Sequence, residues 1–348
     1  MKRNKVIKII VFLLIFITGF FSVQTVLADG DSKDYKRIQG FFDERESSLD
    51  AVFLGSSSTY AYWTPPVAFA EYGITVYSFA NAAQPTFAAK FIMEDVRKTH
   101  PDTLFIVNVS HLLENYGNHL HKLLVNYPNS LNKLKMTDYL CDMGELTLSE
   151  RMEHYFPIIR FHDRWSELTA DDFNAPKDQY KCGSTYTSFL SKSTDVSGIE
   201  YDFDIRDSLS ENNTRGLNDL MDYCEQEQVK VLFVVVPQAV DDNERFSKQN
   251  VTVDMLEERG FDVLDLRRHT QEIGLDFTTD FYNEKHTNLH GSLKVTDYIS
   301  RYLIENYGFE DKRGNQEYSD WTEAAGKYYE KIYDYLRPED YNFLSSIK

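Results

Sequence analysis

The chain has 348 residues, a formal net charge of −18, 42% hydrophobic and 14% aromatic residues, nine prolines and three cysteines. That is enough apolar chain to bury one large core or two modest ones, and far too much for a disordered protein. Lys and Arg number 37 against 55 Asp and Glu, and no basic stripe lies outside the first eight residues, so the footprint of a nucleic-acid partner is missing.

At the amino terminus Lys2, Arg3, Lys5 and Lys8 precede the uncharged run from Ile9 to Val23, 15 residues long. Val26-Leu27-Ala28 then places small or β-branched residues at −3 and −1 of a cut before Asp29. A basic start, a short apolar stretch and a small-residue exit make the pattern of a secretory signal. At a rise of about 1.5 Å per residue the run falls short of a hydrocarbon core roughly 30 Å thick, and extension past Gln24 to Leu27 nearly spans it. Residues 1–28 are therefore expected to be a signal peptide or a membrane anchor, with the body extracytoplasmic, either secreted or membrane-anchored. Four of the 37 basic residues and none of the acidic ones fall in this segment, so the remainder carries −22.

Beyond it, near-continuous apolar runs read as strands: Ala51 to Gly55, Thr75 to Ala80, Thr103 to Val109, Lys230 to Pro237 and Asp262 to Leu266. Strands buried on both faces look like this and belong to parallel sheets covered on each side by helices. Candidate helices lie at Pro85 to Lys98, Ser210 to Gln228, Val253 to Glu258 and Gly291 to Tyr307. The fold class is α/β, a three-layer αβα sandwich with about five parallel strands. Residues 110–209, between the third and fourth strands, are too long for a plain crossover and form an elaborated insertion with its own helices. The tail, 310–348, is a helical extension: Trp321, Ala324, Ala325, Tyr328, Tyr329, Ile332 and Tyr335 recur at helical intervals and predict a docked helix. Cys141, Cys182 and Cys224 are an odd count without CxxC spacing, which offers no disulfide framework; a Cys141–Cys182 bridge is one option in an oxidising compartment, and Cys224 reads as a small buried apolar residue.

Open parallel sheets bind ligands beyond the carboxyl ends of their strands. There the first strand runs into Gly55-Ser56-Ser57-Ser58-Thr59, where a hydroxyl could be exposed for attack, or where serines simply cap a helix. After the fifth strand comes Asp280-Phe281-Tyr282-Asn283-Glu284-Lys285-His286, just before the last helix of the sheet. A neutral His286 imidazole on the same sheet edge could take the proton of Ser57 and return it to a leaving group. A third group must fix the tautomer, and Asn283 or Asp280 could do so. His286 with His290 is a metal pair lacking a third ligand, and no glutamate follows the first His, so neither a metal nor a cofactor is expected.

The serine turn and the D/N-x-x-H loop together resemble the SGNH (GDSL-like) hydrolases. FLGSSSTYAYWTPPVAFAEYGITVYSFANAAQP, FPIIRFHDRWSELTADDF and DFYNEKHTNLHGSLKVTDYISRYL look like a Gram-positive, membrane-anchored branch of that superfamily, over roughly residues 45–310. That branch is similar to the D-alanyl-lipoteichoic-acid transfer protein and to alginate O-acetylation proteins, whose members often accompany a membrane-bound O-acyltransferase. The resemblance implies a catalytic domain over 29–309, Ser57 as nucleophile and His286 as acid and base. Ser56 and Asn283 stand where the family usually has aspartates. An Asn amide oxygen can orient an imidazole without giving an imidazolium a full countercharge, and Asp280 is the alternative source of that charge. For the oxyanion, the backbone N–H groups of Ser57 and Ala83 are the implied donors, with Asn81, Gln84 and Ser110 as unranked side-chain candidates. In the insertion, Arg160, His162 and Trp165 match the branch's segment. They imply a lid or acceptor-sugar surface, unless Arg160 and Asp163 are a helix i,i+3 pair and Trp165 a core anchor.

Three functions follow from the resemblance. The first is an O-acyltransferase component moving an acyl group onto a cell-envelope glycan or teichoic acid. The second is a carbohydrate esterase, and the third a non-catalytic envelope protein assembling with a membrane O-acyltransferase. The acidity of the body is mildly unfavourable for close contact with a polyanionic acceptor, since like charges repel over about 8 Å at physiological salt.

Overall fold

The computed structural model describes residues 2–27, 33–112, 120–173 and 199–345. Five strands form one all-parallel sheet: β1 (Ala51–Gly55), β2 (Val76–Ala80), β3 (Leu104–Asn108), β4 (Val231–Val235) and β5 (Asp262–Asp265). Their order, β2-β1-β3-β4-β5, is that of flavodoxin-like sheets. A short antiparallel pair, β6 (Phe281–Asn283) and β7 (His286–Thr287), stands apart from it. The expected five-stranded α/β sandwich is thus present, with β1 at its expected bounds and the other four strands trimmed by one or two residues at one or both ends.

The helices, in chain order, are α1 (Lys2–Leu27), α2 (Lys33–Phe42), α3 (Ser57–Tyr62), α4 (Pro65–Tyr72), α5 (Ala89–Val96), α6 (Leu120–Asn126), α7 (Leu131–Met143), α8 (Leu148–Tyr155), α9 (Pro157–Phe161), α10 (Glu211–Gln226), α11 (Asn243–Glu258), α12 (Thr270–Ile273), α13 (Leu289–Tyr307) and α14 (Ser319–Ile332). Strand periodicity divides them into two layers. Val52, Leu54, Tyr77, Phe79, Phe105, Val107, Phe233 and Val235 point into one core with residues of α2, α5, α10 and α11. The alternate residues Ala51, Phe53, Val76, Leu104, Ile106, Leu232 and Val234 point into the other with α3, α4 and α13.

The described part of the insertion joins the cores of the sheet. Leu120, Leu123 and Leu124 of α6 and Met136, Leu140 and Cys141 of α7 join the first of these two cores. Cys141 is a buried free thiol, pushed up to about 11 by burial; Cys182, the other half of the Cys141–Cys182 option, lies outside the described residues. Cys224 is likewise buried and free, as expected. The tail helix α14 docks on α4 and buries Trp321, Tyr328 and Ile332. Helix α1 is exposed over most of its length, and Asn4–Leu27 is long and apolar enough to cross a membrane.

Candidate active site

The C-terminal edge of the sheet is shaped by close backbone approach. A Cβ on Gly55 would meet Thr59 Oγ1 at 2.2 Å and the Cβ of Asn108 at 2.9 Å, so only glycine lets β1 turn into α3 so near to β3. Ser56 occupies the N-cap position of α3 without a side-chain capping bond, and Ser57 is the first helical residue, half-buried at the end of β1.

The β6–β7 hairpin brings its partners. Asn283 and His286 pair across this hairpin, with Glu284 and Lys285 at its tip. His286 Nε2 lies 2.8 Å from Ser57 Oγ, and His286 Nδ1 lies 2.9 Å from Asn283 Oδ1. The same Asn283 oxygen accepts the Lys285 N–H at 2.9 Å. An atom that accepts from a backbone N–H is the amide oxygen, so Nδ1 must donate to it and Nε2 keeps its lone pair. The imidazole is therefore held in the tautomer that accepts the Ser57 hydroxyl proton. Burial, reinforced by the charge of Lys285, pushes His286 down to about 4, so the ring is neutral at pH 7.

Asp280 does not orient this imidazole. Its buried carboxylate accepts the Asp276 N–H at 2.8 Å and the Thr279 hydroxyl at 3.2 Å, and pairs with Lys294 at 2.7 Å. It ties the loop to α13, and its place on β7's side was taken by Asn283, three residues nearer in sequence and directly opposite in register. His290 turns into the interior instead, where Nδ1 meets Asp340 Oδ2 at 2.7 Å. Among the described residues no group of three or more His, Cys, Asp and Glu is arranged to hold a metal ion.

The turn after β2 carries the expected oxyanion residues. Gln84 N–H donates to Asn81 O at 3.1 Å, closing a turn whose third residue, Ala83, has φ 53°. That left-handed position normally takes glycine, and alanine holds it at a cost of about 1–2 kcal/mol. Gly55 pairs with Ala80, so Asn81 follows in register beside Ser56. The Asn81 amide is fully buried, and among the described residues neither its oxygen nor its nitrogen has a hydrogen-bond partner; the Gln84 amide oxygen is in the same condition. Ser110 is different: its hydroxyl donates to Asn108 Oδ1 at 2.6 Å and accepts the Val236 N–H at 2.7 Å, so it braces β3 against β4 and has no proton left for a substrate.

Three residues that the sequence reading left out support the site. Asn108 Nδ2 donates to Ser58 Oγ at 3.0 Å while its oxygen accepts from Ser110, locking α3 to the end of β3. A polar residue closing the apolar run Leu104–Asn108 was the available signal. Arg37 of α2 is 1% exposed, donates to Ala80 O at 2.8 Å, pairs with Asp34 at 2.8 Å and lies over the Tyr60 ring at 4.2 Å. Asp34 in turn accepts the Ala82 N–H at 3.3 Å, so α2 clasps the strained turn from outside.

Arg160, His162 and Trp165 belong to another part of the surface. Helix α9 and the 3₁₀ turn His162–Ser166 pack mainly against α1 and α8. Arg160 pairs with Glu153 at 3.2 Å, not with Asp163, because the chain leaves the α-helix at Phe161. His162 Nδ1 meets Ile159 O at 2.9 Å, and Trp165 is 72% exposed, hence no core anchor. A separate pocket of about 260 Å³ opens beyond β3, lined by Ser110, His111, Asn213, Arg245 and Gln249 among others, and it includes neither Ser57 nor His286. No protein family, curated protein or solved structure matches this chain.

Proposed function

We propose that this chain is an extracytoplasmic SGNH-type O-acyltransferase component, retained at the membrane by α1 and acting on a cell-envelope glycan or teichoic acid through an acyl-Ser57 intermediate. The observation that carries the reading is the Ser57–His286–Asn283 relay, with Oγ to Nε2 at 2.8 Å and Nδ1 to Oδ1 at 2.9 Å. In the first half-reaction Ser57 Oγ attacks the acyl carbonyl while His286 Nε2 takes its proton. The oxyanion is met by backbone N–H groups of Ser57 and Ala83, and the leaving group departs with the proton from His286. In the second half, His286 deprotonates the acceptor hydroxyl, which attacks acyl-Ser57 and regenerates the serine. A membrane-bound O-acyltransferase is the partner that would hand over the acyl group. Water in place of the acceptor gives the esterase reading with the same residues.

The test uses the full chain in membranes. Peptide mass measurement is expected to find an acyl group on Ser57, absent in Ser57→Ala. Hydrolysis of a chromogenic acetyl ester is expected to fall at least about 100-fold in both Ser57→Ala and His286→Ala. Ester hydrolysis that persisted equally in both variants would overturn the assignment. No acyl-Ser57 and no hydrolysis in the parent would leave a non-catalytic envelope protein.

A further inference from the structure

The last two turns of α1 are not free. Gln24 and Leu27 are buried, and the Phe20 ring packs edge-on against Phe156 at 6.0 Å between centroids. Phe20, Gln24 and Leu27 lie on one helix face, and α1 is packed there against α9, the turn His162–Ser166 and the 3₁₀ turn Ala170–Phe173. Arg164 Nη1 donates to the Leu27 carbonyl at 2.7 Å, satisfying one of the orphan acceptors at the helix end, and Nη2 holds Asp172.

The position of this contact along α1 fixes its depth. About 20 residues at about 1.5 Å each are needed to cross a hydrocarbon core of roughly 30 Å. Counted from Ile9, just after the amino-terminal basic cluster, that length ends at Ala28. The body therefore already grips α1 at Phe20, within the stretch needed to complete the crossing. Whatever covers Phe20 to Leu27 is carried to the outer edge of the bilayer.

The covering elements are built for such a place. No residue of α9 or of His162–Ser166 is buried in the protein, yet they present Ile159 (45% exposed) and Trp165 (72%), and the neighbouring turn Ala170–Phe173 presents Phe173 (67%). Tryptophan concentrates at the membrane–water boundary because its ring is apolar and its N–H is polar. We infer that Ile159, Trp165 and Phe173 form a lipid-contact surface that sits in the interfacial layer of the outer leaflet beside α1. This rests on the reading of α1 as a retained anchor.

Trp165 makes the inference directly measurable, since the other two tryptophans, Trp63 and Trp321, are each 1% exposed. The full chain, with α1 confirmed by intact mass, is reconstituted in liposomes containing phosphatidylcholine brominated near the head or near the end of the acyl chain. The expected result is loss of up to about a third of the tryptophan emission, greater with the shallow bromine, and absent in Trp165→Phe. Quenching of Trp165 by aqueous iodide without any effect of the brominated lipids would overturn the inference and leave the anchor intact. Protection from both quenchers would also overturn it, by showing a protein cover. A chain that loses α1 and fails to float with liposomes would remove the anchor reading itself.

Discussion

Replacing Asn283 with aspartate puts a carboxylate where an amide oxygen now sits 2.9 Å from His286 Nδ1. The Nδ1–H tautomer is retained, because a carboxylate can only accept, and the Lys285 N–H keeps its partner. What changes is the charge opposite the imidazolium. An opposite charge at this range raises a histidine by about 1–3 units, worth roughly 1.4–4 kcal/mol of preference for the protonated ring. Starting from about 4, the variant should titrate at about 5–7. Two assays read this: the acid limb of kcat/KM for an acetyl ester, and the imidazole carbon shifts of His286 by NMR, which need no turnover. Above the limb the variant should be faster, since its base is stronger. An acid limb that stays where it was, or moves down, would refute the assignment of Asn283 as the residue facing the catalytic imidazole.

Four further outcomes are expected. His286 titrates at about 4 in the fold against an ordinary 6.5, so unfolding takes up a proton between these values and stability falls as pH drops from 6.5 to 4. His286→Gln should remove up to about 3 kcal/mol of that loss, seen in urea titrations at pH 7 and pH 4. Asp34→Ala frees the Ala82 N–H and should lower kcat about 10-fold with little change in KM, restored partly by Asp34→Asn. Ala83→Gly should leave stability within about 1 kcal/mol, while Ala83→Val should cost about 1–3 kcal/mol, measured as a shift in Tm. Asn108→Ala removes bonds to Ser58 and Ser110 and should cost about 2–3 kcal/mol in denaturant unfolding.

The sheet was readable because each central strand is buried on both faces and therefore apolar without interruption, as in Val231–Val235. Elements stabilised by other means were not. Helix α11 starts at Asn243, ten residues before the apolar cue at Val253, because part of its buried face is polar: Gln249 and Asn250 accept from the buried Arg267 guanidinium. The β6–β7 hairpin is too short for alternation to show, and without it spacing could not rank Asn283 above Asp280. Ser57 and His286 were legible as types in the right places; that they meet at 2.8 Å is a product of tertiary structure. Helix α2 carried no chemical motif, so its hold on the Ala83 turn was invisible. Trp165 could be read from sequence as sugar platform or as core anchor, and only its 72% exposure removes the core reading.

Helix α2 begins six residues after α1 ends, at Lys33 against Leu27. The element that braces the Ala83 turn is thus tied to the apolar helix α1 by a leash that cannot exceed about 20 Å even when drawn straight. With α1 retained, the nucleophile has a fixed altitude. Under the proposed acyl transfer it would serve acceptors still tethered to lipid or lying flat near the leaflet, and polymer grown away from the membrane would pass out of its range. Chemical recognition would then need to be only modest, because the address of the enzyme does part of the selecting.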